Sequence, residues 1–294
     1  MKKIKILVSL AVCLILISFL FNVSASPLYS ASLILKSNTG KSGIVYVNTN
    51  ETISVSLNLN TSKGYYAGPF SSPVFYTDSV FTAENPILNT SGRFYSCCKS
   101  YTSVLTSEKL APEALESLYP SSWKAQQIKE NKLIYTVMVP NSSDCKKTPD
   151  ELNEALWTAA FKVKGAVNSQ GSIFIPKECI RSSDNIDAPT YLACYSDGGD
   201  ISSKRYDYGS DLNIDVSQAE IKYQVTDKAD VDNDKSVSSS DALLILQHSV
   251  ELIRLDDKSF TRADLTKDGK LASDDALAVL SISTGVTTIN NYMH

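Results

Sequence analysis

The stretch "ADVDNDKSVSSSDALLILQ", residues 229–247, sets Asp230, Asp232, Asp234 and Asp241 within twelve residues and then turns into an apolar run of helical spacing. Such crowding is either a solvated acidic loop or a set of carboxylates that share a cation. A second copy speaks for the cation. "ADLTKDGKLASDDALAVL" begins at Ala263 and aligns Asp264 with Asp230, one repeat further along the chain. Both copies read A-D-x-x-x-D, then V or L, then S and D, then an apolar helix.

Calcium accounts for this grammar. The ion takes six to eight oxygens in a flexible shell, and a twelve-residue loop offers them from positions 1, 3, 5, 7, 9 and 12. In loop one these are Asp230, Asp232, Asp234, the Ser236 carbonyl, Ser238 (through water) and Asp241. In loop two they are Asp264, Thr266, Asp268, the Lys270 carbonyl, Ala272 and Asp275. Two calcium ions are therefore expected. Asp241 and Asp275 also open their helices, where free N–H groups favour a carboxylate. Val237 and Leu271, at position 8, are expected to face inward.

Neither loop is ideal. Position 6 makes the sharp turn and favours glycine; loop two has Gly269 there and loop one has Lys235. Loop two has a neutral Thr266 at position 3 and Ala272 at position 9. Loop one is the better charged and loop two the better shaped. From Lys228 to the C-terminus there are seven basic and eleven acidic residues, a balance of −4 that two calcium ions would cancel. That balance favours metal-dependent folding.

An EF-hand needs a helix before each loop and usually Glu at position 12. Here "IKYQVT" before loop one alternates like a strand, and both position-12 residues are Asp. The duplicated loop-plus-helix pattern over residues 228–288 instead resembles a type I dockerin. That resemblance implies a small all-α module folded by calcium, binding a cohesin domain of a scaffoldin through one of two near-symmetric helices. It further implies contacts at Ser239, Ser240, Leu246 and Gln247 in the first repeat, and at Ser273, Asp274, Leu280 and Ser281 in the second. The Ser240/Asp274 difference makes the two helical faces unequal.

The rest of the chain has a different grammar. "ISVSLNLN" (53–60) alternates strictly, as a half-buried strand does. "PVFYT" from Pro73, "KLIYTVMV" from Lys132, "AAFKVKG" ending at Gly165, "GSIFIP" from Gly171 and "LNIDV" from Leu212 read likewise, with Gly/Asn/Ser-rich turns between. The expected class is mainly β: an antiparallel Ig-like or jelly-roll sandwich. "APEALESLYPSSWKAQQIKEN" (111–131) is a helical insertion split at Pro120. "TPDELNEALW" is expected to be helical, with Thr148 as N-cap and Pro149 at the first position.

"ALWTAAFKVKGAVNSQGSIFIPKE" (155–178) and "ETISVSLNLNTSKGYYAGPF" (51–70) resemble segments of cohesin domains, over about a third of this region; any antiparallel sandwich with similar alternation is the competing reading. With the dockerin-like module, the resemblance implies an adaptor scaffoldin of a cellulosome-type assembly. Its sandwich would then take a dockerin-bearing protein. The alternatives are a carbohydrate-binding accessory protein that takes a polysaccharide on exposed tyrosines, Trp123 or Trp157, and a small glycoside hydrolase using carboxylates such as Asp78, Glu84, Glu108 or Glu178.

An enzyme is not expected. The two histidines, His248 and His294, both fall in the C-terminal region, so the sandwich lacks the means for Ser-His, Cys-His or histidine-metal chemistry. A net charge of −4 without basic runs gives no footprint for nucleic acid. "MKKIKILVSLAVCLILISFLFNVSAS" has a charged start, an apolar run and small residues at Val23-Ser24-Ala25. That is the order of a secretory signal cleaved after Ala25, with an uncleaved anchor as runner-up. The expected layout is a signal at 1–25, a sandwich at 26–223 and a calcium-binding module at 228–294, in a secreted, extracellular or cell-surface complex. Five cysteines, Cys97, Cys98, Cys145, Cys179 and Cys194, follow the signal. Either one of the vicinal pair bridges to Cys145 or another distant cysteine, or the thiols stay reduced and buried.

Overall fold

The structure is a computed structural model that describes residues 29–38, 43–62, 67–98, 102–139, 152–181, 188–195, 205–206 and 212–292. Its N-terminal part is two packed sheets. The strands are β1 (Tyr29–Ser37), β2 (Ile44–Asn48), β3 (Thr52–Thr61), β4 (Ala67–Thr77), β5 (Phe81–Ala83), β6 (Ile87–Leu88), β7 (Thr102–Thr106) and β8 (Asn131–Met138). After them come β9 (Asn153–Val163), β10 (Gln170–Phe174), β11 (Tyr191–Tyr195), β12 (Arg205–Tyr206), β13 (Leu212–Asp215) and β14 (Glu220–Thr226).

The smaller sheet runs β13-β1-β3-β9-β5, with β6 also on β9. The larger has the path β12-β11-β4-β10-β14-β2, and β8 carries β7 onto the other side of β4. Strand pairing is antiparallel with two exceptions among the named strands. β1 lies parallel to β13, and β2 parallel to β14. The two ends of the sandwich sequence thereby close both sheets, each end contributing one strand to each layer.

The alternation read from the sequence is the alternation that packs. Ile53, Val55, Leu57 and Leu59 of β3 are fully buried against Phe161, Val74, Tyr76, Ile134 and Ile173. Asn58, on the polar side, is buried too; the register shifts between Leu57 and Asn58, and its Nδ2 donates to Ser56 Oγ at 2.9 Å. Trp157 is fully buried, and its indole donates to Thr136 Oγ1 at 2.8 Å across the layer.

The helical expectation for "TPDELNEALW" fails over Asn153–Trp157, which form the start of β9. Backbone pairing with β3 along its length and the burial of Leu156 and Trp157 outweigh local propensity there. Thr148 and Pro149 lie outside the described residues.

The insertion folds as two short helices, α2 (Pro112–Glu116) and α3 (Ala125–Glu130), with Pro120 between them; α1 (Arg93–Cys98) precedes them. Leu118, Tyr119 and Trp123 from this segment pack on Phe75, Leu133 and Phe174, which point away from the main core. The insertion is thus a roof over part of the larger sheet's outer face. Cys179 is a buried thiol under the same roof, pushed up to about 12 by burial and by Glu178. The side chains of Cys97, Cys145 and Cys194, on which the disulfide expectation turns, lie outside the described residues.

A single residue, Asp227, separates β14 from Lys228, which is already buried. The C-terminal part holds α4 (Ser239–Ser249), α5 (Asp257–Ala263) and α6 (Ser273–Ser283). Its own core is small: Val231, Ile245, Leu265, Leu271 and Val279, filled out by five alanines. Val237 packs beside it and Leu271 lies within it, as position 8 of each loop requires. Among the described residues no helix is long and apolar enough to cross a membrane.

Candidate metal centre and docking helices

The two acidic loops share the hydrogen bonds that clamp each onto its helix. In loop one, Asp241 is fully buried; its Oδ1 accepts the amides of Val231 (2.6 Å) and Asp232 (3.2 Å), and its Oδ2 that of Ser238 (2.8 Å). In loop two, Asp275 is fully buried and accepts Leu265, Thr266 and Ala272 in the same roles, at 3.0, 3.0 and 3.1 Å. Each of these carboxylates therefore ties the loop's start to the first turn of its helix. At position 1, Asp230 Oδ2 accepts the Lys235 amide at 3.0 Å, and Asp264 Oδ2 accepts the Gly269 amide at 3.1 Å. At position 5, Asp234 and Asp268 each accept the amide two positions on, at 2.8 Å.

These bonds need a left-handed turn at matching places. Lys235 has φ +73° and Gly269 φ +78°, so the lysine does adopt the glycine conformation. Asn233 and Lys267, at position 4, have φ +66° and +60°.

Oxygen ligands converge in loop one. One carboxylate oxygen from each of Asp230, Asp232 and Asp234 lies within 4.8 Å of the others, with Asp230 buried and the other two exposed. Partial desolvation, together with the charges of Asp241, Asp234 and Asp230, raises the Asp232 carboxyl above its ordinary value. In loop two, desolvation and then Asp275 and Asp268 raise Asp264 in the same way. The Oδ1 of Asp264 is buried and has no hydrogen-bond partner among the described residues. A buried carboxylate oxygen without a donor is costly unless a cation meets it. Hard oxygen donors gathered on short loops are the set calcium takes, so these residues fit the ion.

The structure does not gather every expected ligand equally. The oxygens of Asp241 and Asp275 are already occupied by loop amides, and Thr266 Oγ1 donates to Asp275 Oδ1 at 3.1 Å. Ser236 and Lys270 sit at the exposed side of their loops, where the carbonyl and not the side chain is the expected ligand.

Beyond each loop the helix shows one face to the core and another to solvent. Ala242 and Ile245 of α4, and Ala276 and Val279 of α6, are buried. Ser239, Ser240, Ser273 and Asp274 are exposed at the helix starts; Gln247 and Ser281 are partly exposed further along. Leu246 and Leu280 are 40% and 36% exposed. The larger apolar surface escapes the sequence reading. Leu243 and Leu277, 54% and 63% exposed, sit about one turn before them, at equivalent positions of the two repeats. Spacing of i, i+3 puts each pair on one face, a signal present in "DALLIL" and "DALAVL".

Residues 228–281 match the family model described as the dockerin type I domain. No curated protein matches the chain. Among solved structures, the seventh ScaB type I cohesin from Pseudobacteroides cellulosolvens is similar at 8% identity and a TM-score of 0.40, over 68% of this chain and 94% of that one. The cohesin CaCohA2 from Clostridium acetobutylicum is similar at 14% identity and 0.38, over 67% and 91%. A type I cohesin–dockerin complex from Clostridium thermocellum, Coh-OlpA-Doc918, gives 12% identity and 0.38, over 67% and 99%.

Proposed function

With a dockerin type I match over the two-loop module, we propose that this chain is a secreted, non-catalytic component of a cellulosome-type assembly. Its module binds a cohesin domain in a calcium-dependent way, and its sandwich acts as a second protein-binding unit, which makes the chain an adaptor. One observation carries the reading: two symmetry-related leucine pairs, Leu243 with Leu246 and Leu277 with Leu280, stand exposed on helices whose first turns are held by the acidic loops. Calcium in each loop would fix the start of the helix, and the helix would present its leucines to the partner.

In this mechanism Asp230, Asp232 and Asp234, and in loop two Asp264 and Asp268, would hold the ions, which would neutralise the crowded carboxylates. Asp241 and Asp275 clamp each loop onto its helix. The serines at 239, 240 and 273, with Asp274, would set partner choice at the polar rim of the face.

The test uses the whole chain against a panel of cohesins. Binding should disappear in excess EDTA, and should fall when Leu243 and Leu246, or Leu277 and Leu280, are replaced by Asp. Loss with one pair only identifies the face in use. Binding that survives EDTA and both pairs of substitutions sinks the docking reading.

The adaptor role needs an open face on the sandwich. The roof of 107–130 covers Phe75, Leu133 and Phe174 of the larger sheet. Further along the same face, Leu105, Tyr135 and Val137 are partly exposed and Ser103 is exposed. That stretch is where a second protein would sit. Of the tryptophans considered for a polysaccharide platform, Trp157 is fully buried, while Trp123 is partly exposed with its ring centroid 4.8 Å from that of Phe75. Of the carboxylates considered for hydrolysis, Asp78 pairs with Lys164 at 3.1 Å and Glu108 with Lys132 at 3.2 Å.

A further inference from the structure

Position 4 of each calcium loop sends its side chain to a different support. In loop one, Asn233 accepts a hydrogen bond from Nη2 of Arg262, an almost wholly buried residue at the end of α5. In loop two the equivalent residue is Lys267, and its ammonium lies 3.3 Å from Oε1 of Glu51, on the turn between β2 and β3 of the sandwich. Loop one is braced from within the module. Loop two is braced by the other half of the molecule.

The sandwich side of this contact is prepared for it. The Glu51 side chain is only 13% exposed, and its second oxygen accepts the Asn48 amide at 2.8 Å. The Glu51 carbonyl accepts the Val163 amide at 2.8 Å, which fixes the turn to the end of β9. Asn48 in turn accepts from Thr226 Oγ1 at 3.1 Å, at the last position of β14. A second tie runs from Lys258 Nζ to Asn168 Oδ1 at 3.0 Å. On the module side, Lys267 lies in loop two between Asp264, its first ligand, and Gly269, whose amide donates to Asp264 Oδ2 at 3.1 Å. Glu51 is therefore tied to the short turn, Asp264 to Gly269, that sets the first carboxylate of loop two.

We propose that Glu51 is a positioning residue for the second calcium loop: it holds Lys267 so that Asp264 is set for the ion, and calcium in loop two reciprocally fastens the module to the sandwich. The need is greater in this loop, where Thr266 and Ala272 replace charged or polar ligands. Linkage makes the effect mutual, since whatever the clamp adds to calcium affinity calcium adds to the clamp. The inference rests on the calcium reading of the loops.

Charge alone and the clamp predict opposite signs for one substitution. Removing a lysine beside a cation site should tighten binding if only repulsion matters. If Lys267 serves as the brace, Lys267→Met should weaken it. Calorimetric titration of the calcium-stripped full chain with calcium chloride is expected to give two sites. Glu51→Gln and Lys267→Met should each weaken one of them about two- to fivefold, the range of a partly exposed ion pair, and the double variant should lose no more than either. In an Asp264→Asn chain, the one remaining site should be indifferent to Glu51→Gln. Hydrogen exchange supplies a second readout: calcium should slow exchange at residues 48–52 in the wild type and not in Glu51→Gln. Two sites indifferent to both variants, or a Lys267→Met chain that binds calcium more tightly, would overturn the clamp alone. A wild-type chain that takes up no calcium overturns the loop reading and the clamp together.

Discussion

The sandwich and the C-terminal module solve the same problem with different materials. The sandwich closes over a continuous apolar layer that includes Trp157, Phe161, Phe81, Tyr76 and Tyr223, all essentially without solvent access. The much shorter module, beginning at Lys228, has alanine at five of the ten buried positions of its core. A core of that size contributes too little on its own, as small domains generally show. Its remaining buried groups are charged: Asp230, Asp241, Asp275, Arg262 and Lys228. Burial and the charge of Lys267 push the Lys228 ammonium down to about 8, against the pull of Glu51, Asp264 and Asp275. One half is held by hydrophobic burial, the other by buried charges whose balance two calcium ions would complete.

Chelation is the strongest way to break this comparison. Without metal the crowded carboxylates repel, and metal binding energy becomes folding energy. Among the described residues, helices of 11, 7 and 11 residues belong to the module, against 6, 5 and 6 in the sandwich. Excess EDTA should therefore remove well over half of the helical ellipticity and leave the strand signal in place. Unchanged helicity would mean that the module stands on its alanine-rich core after all.

The next effect belongs to the other half. Trp157→Ala removes the largest fully buried side chain and leaves the Thr136 hydroxyl without its donor. A loss of about 3–5 kcal/mol is expected, read as a lower denaturant midpoint for the sandwich transition. The calcium-dependent helical transition should move much less. If both fall together by the same amount, the two halves fold as one unit and the contrast between them dissolves.

The contrast also explains what the sequence could and could not disclose. Loop one and loop two were legible because their chemistry is local: ligands, turn residue and helix start fall within twelve consecutive positions. The strand at 53–60 was legible because a half-buried strand writes its burial as alternation. The start of β9 was not, since "DELNEALW" has a helical look and only its partner β3, remote in the chain, makes it a strand. Nor was the closure of the sandwich by two parallel pairs, which depends on where both ends of a long chain come to rest. Glu51 lies farthest from reach of sequence logic: nearly the whole sandwich intervenes between it and Lys267, and nothing in "NTNETIS" marks it.

The smallest effect isolates a difference inside the module, where the two loops share their clamp hydrogen bonds but not the residue at position 6. Lys235 at φ +73° adopts a conformation that costs a side-chain-bearing residue about 1–2 kcal/mol. Part of the gain from glycine is offset by the entropy it adds to the unfolded chain, so Lys235→Gly should stabilise the calcium-bound module by about 0.5–1 kcal/mol. The reciprocal change is informative because a Cβ at Gly269 would meet no atom within 4 Å. Gly269→Ala would then carry the cost of the dihedral alone, a loss of similar size, and the double variant should restore the wild-type midpoint in thermal unfolding at saturating calcium. If Lys235→Gly destabilises instead, the lysine side chain contributes more to loop one than its backbone costs, and the two loops differ in more than shape.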